Sequence, residues 1–570
     1  MVKDRFRQEI GAKEHQNQQW ADFNWKLMVK RVKNLRQRIF RATQKRNWNL
    51  VRSLMKLMLR SQSNLLLSIR RVTQINQGRQ TAGIDSHKVL TNPERVKLYL
   101  QIKENTPWKA KPTKRVYIPK LNGKKRPLGI PVIKDRVLQA VVKNALEPSL
   151  EARFEAKSYG FRPGRSTHDA VNQSYMLLRK GRHSWVFDAD VKGAFENICH
   201  EFILEQLGNL PAKPLIKQWL KAGYLEKEVF YPTESGVPQG GVISPLLANL
   251  ALDGLEAVLA CYTKVRVAHT NPQAEKQRTY KSYRKTYGYC RYADDFIVTA
   301  ETKEDLEAIV PVIQQWLAQR GLQLNEEKTK IAQLTEGFNF LGCHFRHFQG
   351  HCIIKPQKEK TLAFLQDIRY WLRNHKDIPQ QEVIQYLNPK LRGWSNYYRF
   401  VVSSRVFSYV DDQIWQALWL WAKRRHPNKG GKWIAQKYFI THDSWKLKGY
   451  VKDRKGESKL LKLVKLREIP ITRHIQVKGT NSPDDPTLTD YWERRKTRFG
   501  KILLARGSKR YRIACQQDWK CTHCREHLFN GEQIELHHLQ KLSDGGSDNE
   551  DNLMLVHKSC HSNIHSGSRA

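Results

Sequence analysis

The chain has no window of about 18 apolar residues, so nothing in it reads as a membrane-spanning helix. Its first residues, Met1-Val2-Lys3-Asp4-Arg5, lack the apolar core of a secretory signal, and the expectation is a cytoplasmic protein without a membrane partner. Paired cysteines are missing too. Of nine, Cys199, Cys261, Cys290, Cys343 and Cys352 are scattered singly, which excludes a disulfide framework. There is no low-complexity tract and no fixed-period repeat. Acidic residues are short as well: 54 Asp and Glu stand against 100 Lys and Arg, a net charge of +46. A surplus of that size repels itself unless a polyanion screens it, which points to nucleic acid gripped through many phosphate contacts. At 570 residues the chain exceeds a single core, and about three to five domains are expected.

What is present changes texture along the chain. Over residues 1–80, Val32, Leu35, Ile39, Leu50, Leu54, Leu57 and Met58 recur at helical steps with Lys and Arg between them, predicting helices with one packed and one basic face. From Lys114 two β-prone runs flank Asn122-Gly123, a hairpin signal with cations on its turn and flanks. Tyr159-Gly160-Phe161-Arg162-Pro163-Gly164-Arg165-Ser166 is an Arg-loaded turn, and Ser235 to Pro245 is a Gly-rich turn containing Gln239. Residues 263–288 form a basic, Tyr-rich insertion. In Arg392 to Arg399 aromatics alternate with cations, a pattern that serves base stacking and core packing equally.

Two stretches carry acids. Trp185-Val186-Phe187-Asp188-Ala189-Asp190 reads as a strand ending in carboxylates, with Asp188 and Asp190 on one face; spacing alone does not choose between them. Tyr289 to Val298 reads as two apolar strands around Ala293-Asp294-Asp295, so adjacent carboxylates sit at a hairpin tip. Their repulsion is tolerable if a cation lies between them.

In order, Thr81 to Asp85, Ile118 to Pro131, Tyr159 to Ser166, Asp190 to Phe195, Gly236 to Pro245, Tyr292 to Asp295, Asn325 to Thr329 and Phe340 to Gly342 resemble the blocks of a group II intron-encoded protein, a bacterial reverse transcriptase and maturase with a C-terminal HNH endonuclease. Ser86 stands where that family usually has Gly. The resemblance covers nearly the whole chain and implies a multidomain α+β fold: a right-hand polymerase of fingers, α/β palm and helical thumb, with a small zinc-stabilised ββα-metal nuclease. It implies a basic helical N-terminal extension over 1–85, fingers over 86–185, palm over 186–355, thumb or domain X over 356–425, a DNA-binding region and linker over 426–505, and the nuclease over 506–570. Asp190, Asp294 and Asp295 would be the catalytic carboxylates holding two Mg²⁺ ions. Lys120 and Arg126 would meet the triphosphate, Phe195 would exclude a 2′-hydroxyl, and Gln239 would lie by the nucleotide. The implied partners are intron RNA, target DNA and dNTPs, on the nucleoid of a bacterium; oligomeric state is left open.

Cys521-x2-Cys524 and His557-x2-Cys560 have the count and softness of a tetrahedral zinc site. Glu535-Leu536-His537-His538, Asn552 and His561 resemble the His-Asn-His motif. By that likeness His538 is the general base, His537 and His561 hold a divalent ion, expected as Mg²⁺, and Asn552 is counted with these metal residues, orienting the base or the metal loop. His523 and His565 rank below these as substitute zinc ligands. Two other classes compete: a reverse transcriptase of another lineage would share the palm without domain X and the nuclease, and a non-enzymatic splicing cofactor would have eroded the acids that Asp294-Asp295 retain.

Overall fold

The computed structural model describes residues 20–104, 108–119, 123, 125–269, 279–442, 445–452, 458–504 and 506–567. The N-terminal part is helical because short polar side chains cap each start. Asn24 accepts from the Leu27 N–H (3.0 Å), Asn47 from Leu50 (3.1 Å) and Ser61 from Asn64 (3.3 Å), opening Trp25–Gln44, Trp48–Leu59 and Gln62–Arg70. Only part of the expected apolar stripe packs: Val32, Ile39, Leu54 and Met58 are buried, whereas Leu50 and Leu57 stay exposed.

The central sheet is antiparallel, in the order Lys330–Gln333, Trp185–Ala189, Asp295–Ala300, Gly288–Tyr292. Strand alternation divides its side chains between two cores. Phe187, Phe296, Val298 and Ala300 pack with Leu306, Ile309, Ile313 and Leu317 of the helix Lys303–Ala318. Val186 and Ile297 join the second core, with Ala170 and Leu178. Asp188 and Asp295 therefore lie on the face of Val186 and Ile297, away from Lys303–Ala318. A second sheet, Lys125–Ile130, Thr113–Pro119, Tyr224–Glu226, Val229–Tyr231, flanks the first. The basic insertion is a hairpin, Thr263–His269 with Thr279–Lys285.

Helices Lys358–Asn374, Gln380–Tyr398 and Ser404–Arg425 extend the second core, which also takes in Ile434, Tyr438, Phe439, Leu447 and Leu466. Packing thus runs straight through the expected boundary between 425 and 426, because the small sheet beyond it shares the helices' core. Within Arg392 to Arg399 the aromatics face inward. Trp394 stacks on Phe364 (5.1 Å), and the Tyr397 and Tyr398 hydroxyls donate to the carbonyls of Leu341 and Gly342. The buried Arg399 donates to those of Pro470 and Ile502.

The following segment is clamped at two places. Asp169 accepts from His474 (3.0 Å), the Val477 N–H (2.8 Å) and Arg495 (2.8 Å), and Arg36 donates to both Asp484 and Glu147. At the C-terminal end, Ile534–His538 pairs antiparallel with Leu553–His557, and the helix Lys558–Gly567 follows at once. Ile513, Trp519, Leu528, Leu553, Leu555 and Val556 form a separate small core there. All nine cysteines are free. No helix among the described residues is long and apolar enough to cross a membrane.

Candidate functional site

The strands Gly288–Tyr292 and Asp295–Ala300 are joined by only Ala293 and Asp294, with Ala293 at φ 58°. The turn is braced from outside. Tyr159 N–H donates to the Arg291 carbonyl and Arg291 N–H to that of Lys157, both at 2.9 Å. A Cβ on Gly160 would come within 2.2 Å of Ala293 N, so only glycine permits this approach. Arg162, one of the cations of this turn, is internal: it pairs with Glu151 at 3.0 Å, both side chains 1% exposed, and is spent on holding the loop rather than on a phosphate.

Asp190 leaves the end of its strand where Ala189 stands opposite Phe296, so one further step brings it level with Asp295. Its carboxylate accepts from Asn325 Nδ2 (3.0 Å) and Lys328 Nζ (3.1 Å), while its carbonyl accepts from the Asn325 N–H (2.8 Å). Burial first, then Asp294 and Asp190, push the Asp295 carboxyl up to about 6. Burial also raises Asp294, where Asp190 adds to the shift and Arg126 opposes it. Asp188 rises to about 7 through burial, Asp295 and Asp190. Four acids thus share one field, which a cation would relieve, and their hard oxygens suit Mg²⁺.

Facing the acids, Arg126 Nε donates to Gln239 Oε1 (2.7 Å) and Gln239 Nε2 to Glu196 Oε1 (3.3 Å). The glycine turn is moored to the next segment: Gly236 N–H donates to Ile198, Val237 N–H to Phe195, and a Cβ on Gly236 (φ 81°) would lie 2.4 Å from the Glu196 carbonyl. The Phe195 ring is buried and edge-on to Phe161 at 6.1 Å. A cavity of about 80 Å³ beside it is lined by Thr113, Gly129, Phe195, Trp219, Gly236 and Gln239. Arg126, Phe195 and Gln239 are therefore brought together, whereas Lys120 lies outside the described residues.

In the C-terminal module the ligand atoms of Cys521, Cys524, His557 and Cys560 all lie within 4.8 Å of one another, and all four residues are buried. His557 Nε2 faces the carbonyls of His527 and Leu528, each at 3.2 Å, so it carries the proton and Nδ1 is left toward the thiols. Nδ1 is 3.3 Å from Cys524 Sγ. This donor set fits zinc.

A second cluster joins His537, His561 and His565, again within 4.8 Å. His565 is the member that motif reasoning set aside as a substitute zinc ligand; its signal was the four-residue step from His561 on one helix. Asn552 does not join the cluster. Its amide donates to the carbonyls of Gln540 and Ser547 and accepts from the Gln540 N–H, so it ties the loop as an orienting residue and not as a ligand. Two acids join the site: Glu535, quoted with the motif but given no role, bonds His561 Nδ1, and Asp548, unseen in the sequence, bonds His538 Nε2, both at 2.8 Å. Three imidazoles suit transition ions, so Mg²⁺, expected at this nuclease site, is a poor match to its donors.

With this geometry in place, known proteins give a consistent picture. Residues 118–345 match the family described as reverse transcriptase (RNA-dependent DNA polymerase), and residues 20–102 match the N-terminal domain of reverse transcriptase. Residues 361–439 match the group II intron maturase-specific domain, and residues 521–567 match HNH endonuclease. Protein YkfC of Escherichia coli is 33% identical over 315 residues, 50% of this chain and 81% of that protein. The group II intron-encoded protein LtrA of Lactococcus lactis is 31% identical over 400 residues, 57% of this chain and 66% of LtrA. The type-2 retrotransposable element R2DM polyprotein of Drosophila melanogaster is 26% identical over 246 residues, 39% of this chain and 21% of that protein. The chain belongs to the group II intron-encoded proteins: it is a reverse transcriptase that carries a maturase-specific domain and an HNH endonuclease.

Proposed function

We propose that the protein binds its intron RNA and assists splicing, nicks target DNA, and copies the RNA from the nicked end with dNTPs as substrate. The observation that carries the copying step is the meeting of Asp190, Asp294 and Asp295 with Arg126, Phe195 and Gln239 across one cleft. In this reading the molecule is a right-hand polymerase: the sheet bearing the acids is its palm, the hairpin of Arg126 belongs to the fingers, and Lys358–Asn374 with the two following helices is the thumb. Bound Mg²⁺ would supply the charge that activates the primer 3′-hydroxyl and offsets the pyrophosphate leaving oxygen.

The chain's own groups do the rest. Asp190, Asp294 and Asp295 hold the cations, and Asn325 fixes the Asp190 carboxylate. Arg126 neutralises triphosphate oxygens, steered by Gln239, which Glu196 holds in turn. Phe195 blocks a 2′-hydroxyl by bulk. RNA contact on the thumb falls to exposed groups such as Arg392 and Tyr370, since Tyr398 and Arg399 are interior.

In the nuclease, a ββα unit in this reading, the knuckle cysteines and His557 hold Zn²⁺, which supplies a structural staple to a core too small to stand alone. His537, His561 and His565 hold a transition ion that supplies positive charge to the scissile phosphate. His538 Nε2–H donates to Asp548, leaving the Nδ1 lone pair to take a proton from the attacking water.

Primer extension on an RNA template tests the palm: Asp294→Ala is expected to abolish it, and full extension by that variant removes the assignment. Nicking of target DNA tests the nuclease: His538→Ala is expected to stop nicking and spare extension, and loss of both argues against two separate sites.

A further inference from the structure

The helix Lys558–Gly567 meets three parts of the molecule at once. Cys560 belongs to the thiol knuckle, and His561 and His565 to the imidazole cluster. Besides packing on the nuclease strands Ile534–His538 and Leu553–His557, it touches the polymerase's own N-terminal domain, about 490 residues away in the chain. The turn Trp20–Asp22 packs against it, and Gln74 Nε2 donates to Asn563 Oδ1 at 3.3 Å while Gln74 Oε1 accepts from the buried Trp20 Nε1. At the centre of the contact is Arg70. Only 3% exposed, it lies over the Trp25 ring (4.7 Å), and its Nη2 reaches both Ser559 Oγ (2.6 Å) and Cys560 Sγ (3.5 Å).

A buried guanidinium requires a counter-charge, yet no carboxylate among the described residues is shown paired with Arg70. The knuckle supplies one when loaded. Three thiolates against a doubly charged ion leave one net negative charge, spread over sulfurs that are themselves buried. A Cys560 sulfur bound as thiolate also accepts a hydrogen bond far better than a neutral thiol does. Ser559, which donates to Glu532 of the nuclease and accepts from Arg70, ties the two bodies at the adjacent position.

We propose that Arg70 is the outer partner of the zinc thiolate of Cys560, and that this contact latches the nuclease onto the polymerase's N-terminal domain in the zinc-loaded protein. The inference rests on the zinc reading of the knuckle and adds that its occupancy is felt in the polymerase body. Arg70 acts here as a positioning residue. Its side chain fixes the helix from which His561 and His565 project, so metal loading, docking and the geometry of the second cluster are one coupled arrangement.

The full-length chain, Arg70→Ala and Arg70→Lys are compared by zinc content, by the rate of zinc release to a chromophoric chelator, and by amide hydrogen exchange. RNA-templated primer extension reports that the polymerase is folded. Arg70→Ala is expected to release zinc on the order of tenfold faster, within the range for outer partners of metal ligands. It should also lose exchange protection in 558–567, with extension within twofold of wild type. Arg70→Lys, which keeps the charge but not the forked donor, should fall between. If Arg70→Ala fails to fold, Arg70→Lys decides by the same readings. Stripping zinc from the wild type should raise exchange in 20–25 and 62–75 as well as in the knuckle. Unchanged zinc release and protection in a zinc-loaded variant overturns the latch alone. A wild-type protein that takes up no zinc overturns the knuckle reading beneath it.

Discussion

At the Asp294-Asp295 turn, four acids press into one field, and the nearest cation, Lys328, comes from a loop that the same sheet positions. At the knuckle, three thiols and an imidazole converge in a small core, and the cation against them, Arg70, comes from the far end of the chain. The first site draws its nearest cation from a neighbouring loop of the same domain. The second is buried in a contact between modules. The difference follows from ligand chemistry: hard carboxylates tolerate water and exchange, while soft thiolates are kept dry.

The comparison can be broken at its strongest point first. Asp294→Ala should lower RNA-templated extension by about 10³-fold or more, the upper range for removing one preorganised charge, while Cys524→Ser should leave extension largely intact and melt the nuclease. Equal loss in both assays from either change would make the two sites one. Next, His565→Ala should depress DNA nicking by about 10²-fold, as deeply as His561→Ala, because both complete the same cluster; nicking at wild-type rate would return the cluster to His537 and His561 alone.

A smaller effect is expected from Lys328→Ala. Lys328 competes for the Asp190 carboxylate and is 62% exposed, so its loss should lower the Mg²⁺ concentration for half-maximal extension by no more than about fivefold. A higher Mg²⁺ requirement would instead make Lys328 part of the substrate site. Smallest is Asp188→Asn in metal-free protein. Asp188 titrates near 7 when folded against an ordinary 3.8, so the unfolded chain ionises first and stability falls as pH rises through that window. The amide escapes the penalty, and thermal melts in a chelator should show a gain at pH 8 that shrinks as pH falls below 7 and vanishes below about pH 4. A gain that persists at about pH 3 would mean packing, not charge.

Much of the acid-bearing sheet was legible because its signals are local. A two-residue turn between apolar strands has few alternatives, and strand alternation alone puts Asp188 and Asp190 on one side. Metal-ligand spacing likewise announced the knuckle. Where reading went astray, a short polar stretch had a distant partner. The region expected as DNA-binding segment and linker, 426–505, is tied down instead: its Asp484 is clamped by Arg36, 448 positions earlier. Arg162 and Arg399 look like phosphate ligands in a chain of this charge, yet one answers Glu151 and the other caps carbonyls. Asn552 was counted with the metal residues from a motif, yet its amide is used up on loop backbone, which leaves it the orienting part alone.

By itself, the amino-acid sequence determined the polyanion partner, the carboxylate turn, the soft-ligand knuckle and the order of modules, since each follows from composition or from spacings of a few residues. Tertiary structure alone decided which cations are free and which are internal, that His565 completes the imidazole cluster, and that the nuclease helix rests on Arg70. Those outcomes depend on which side chains meet across hundreds of residues, where burial and counter-charge, rather than local pattern, set the preference.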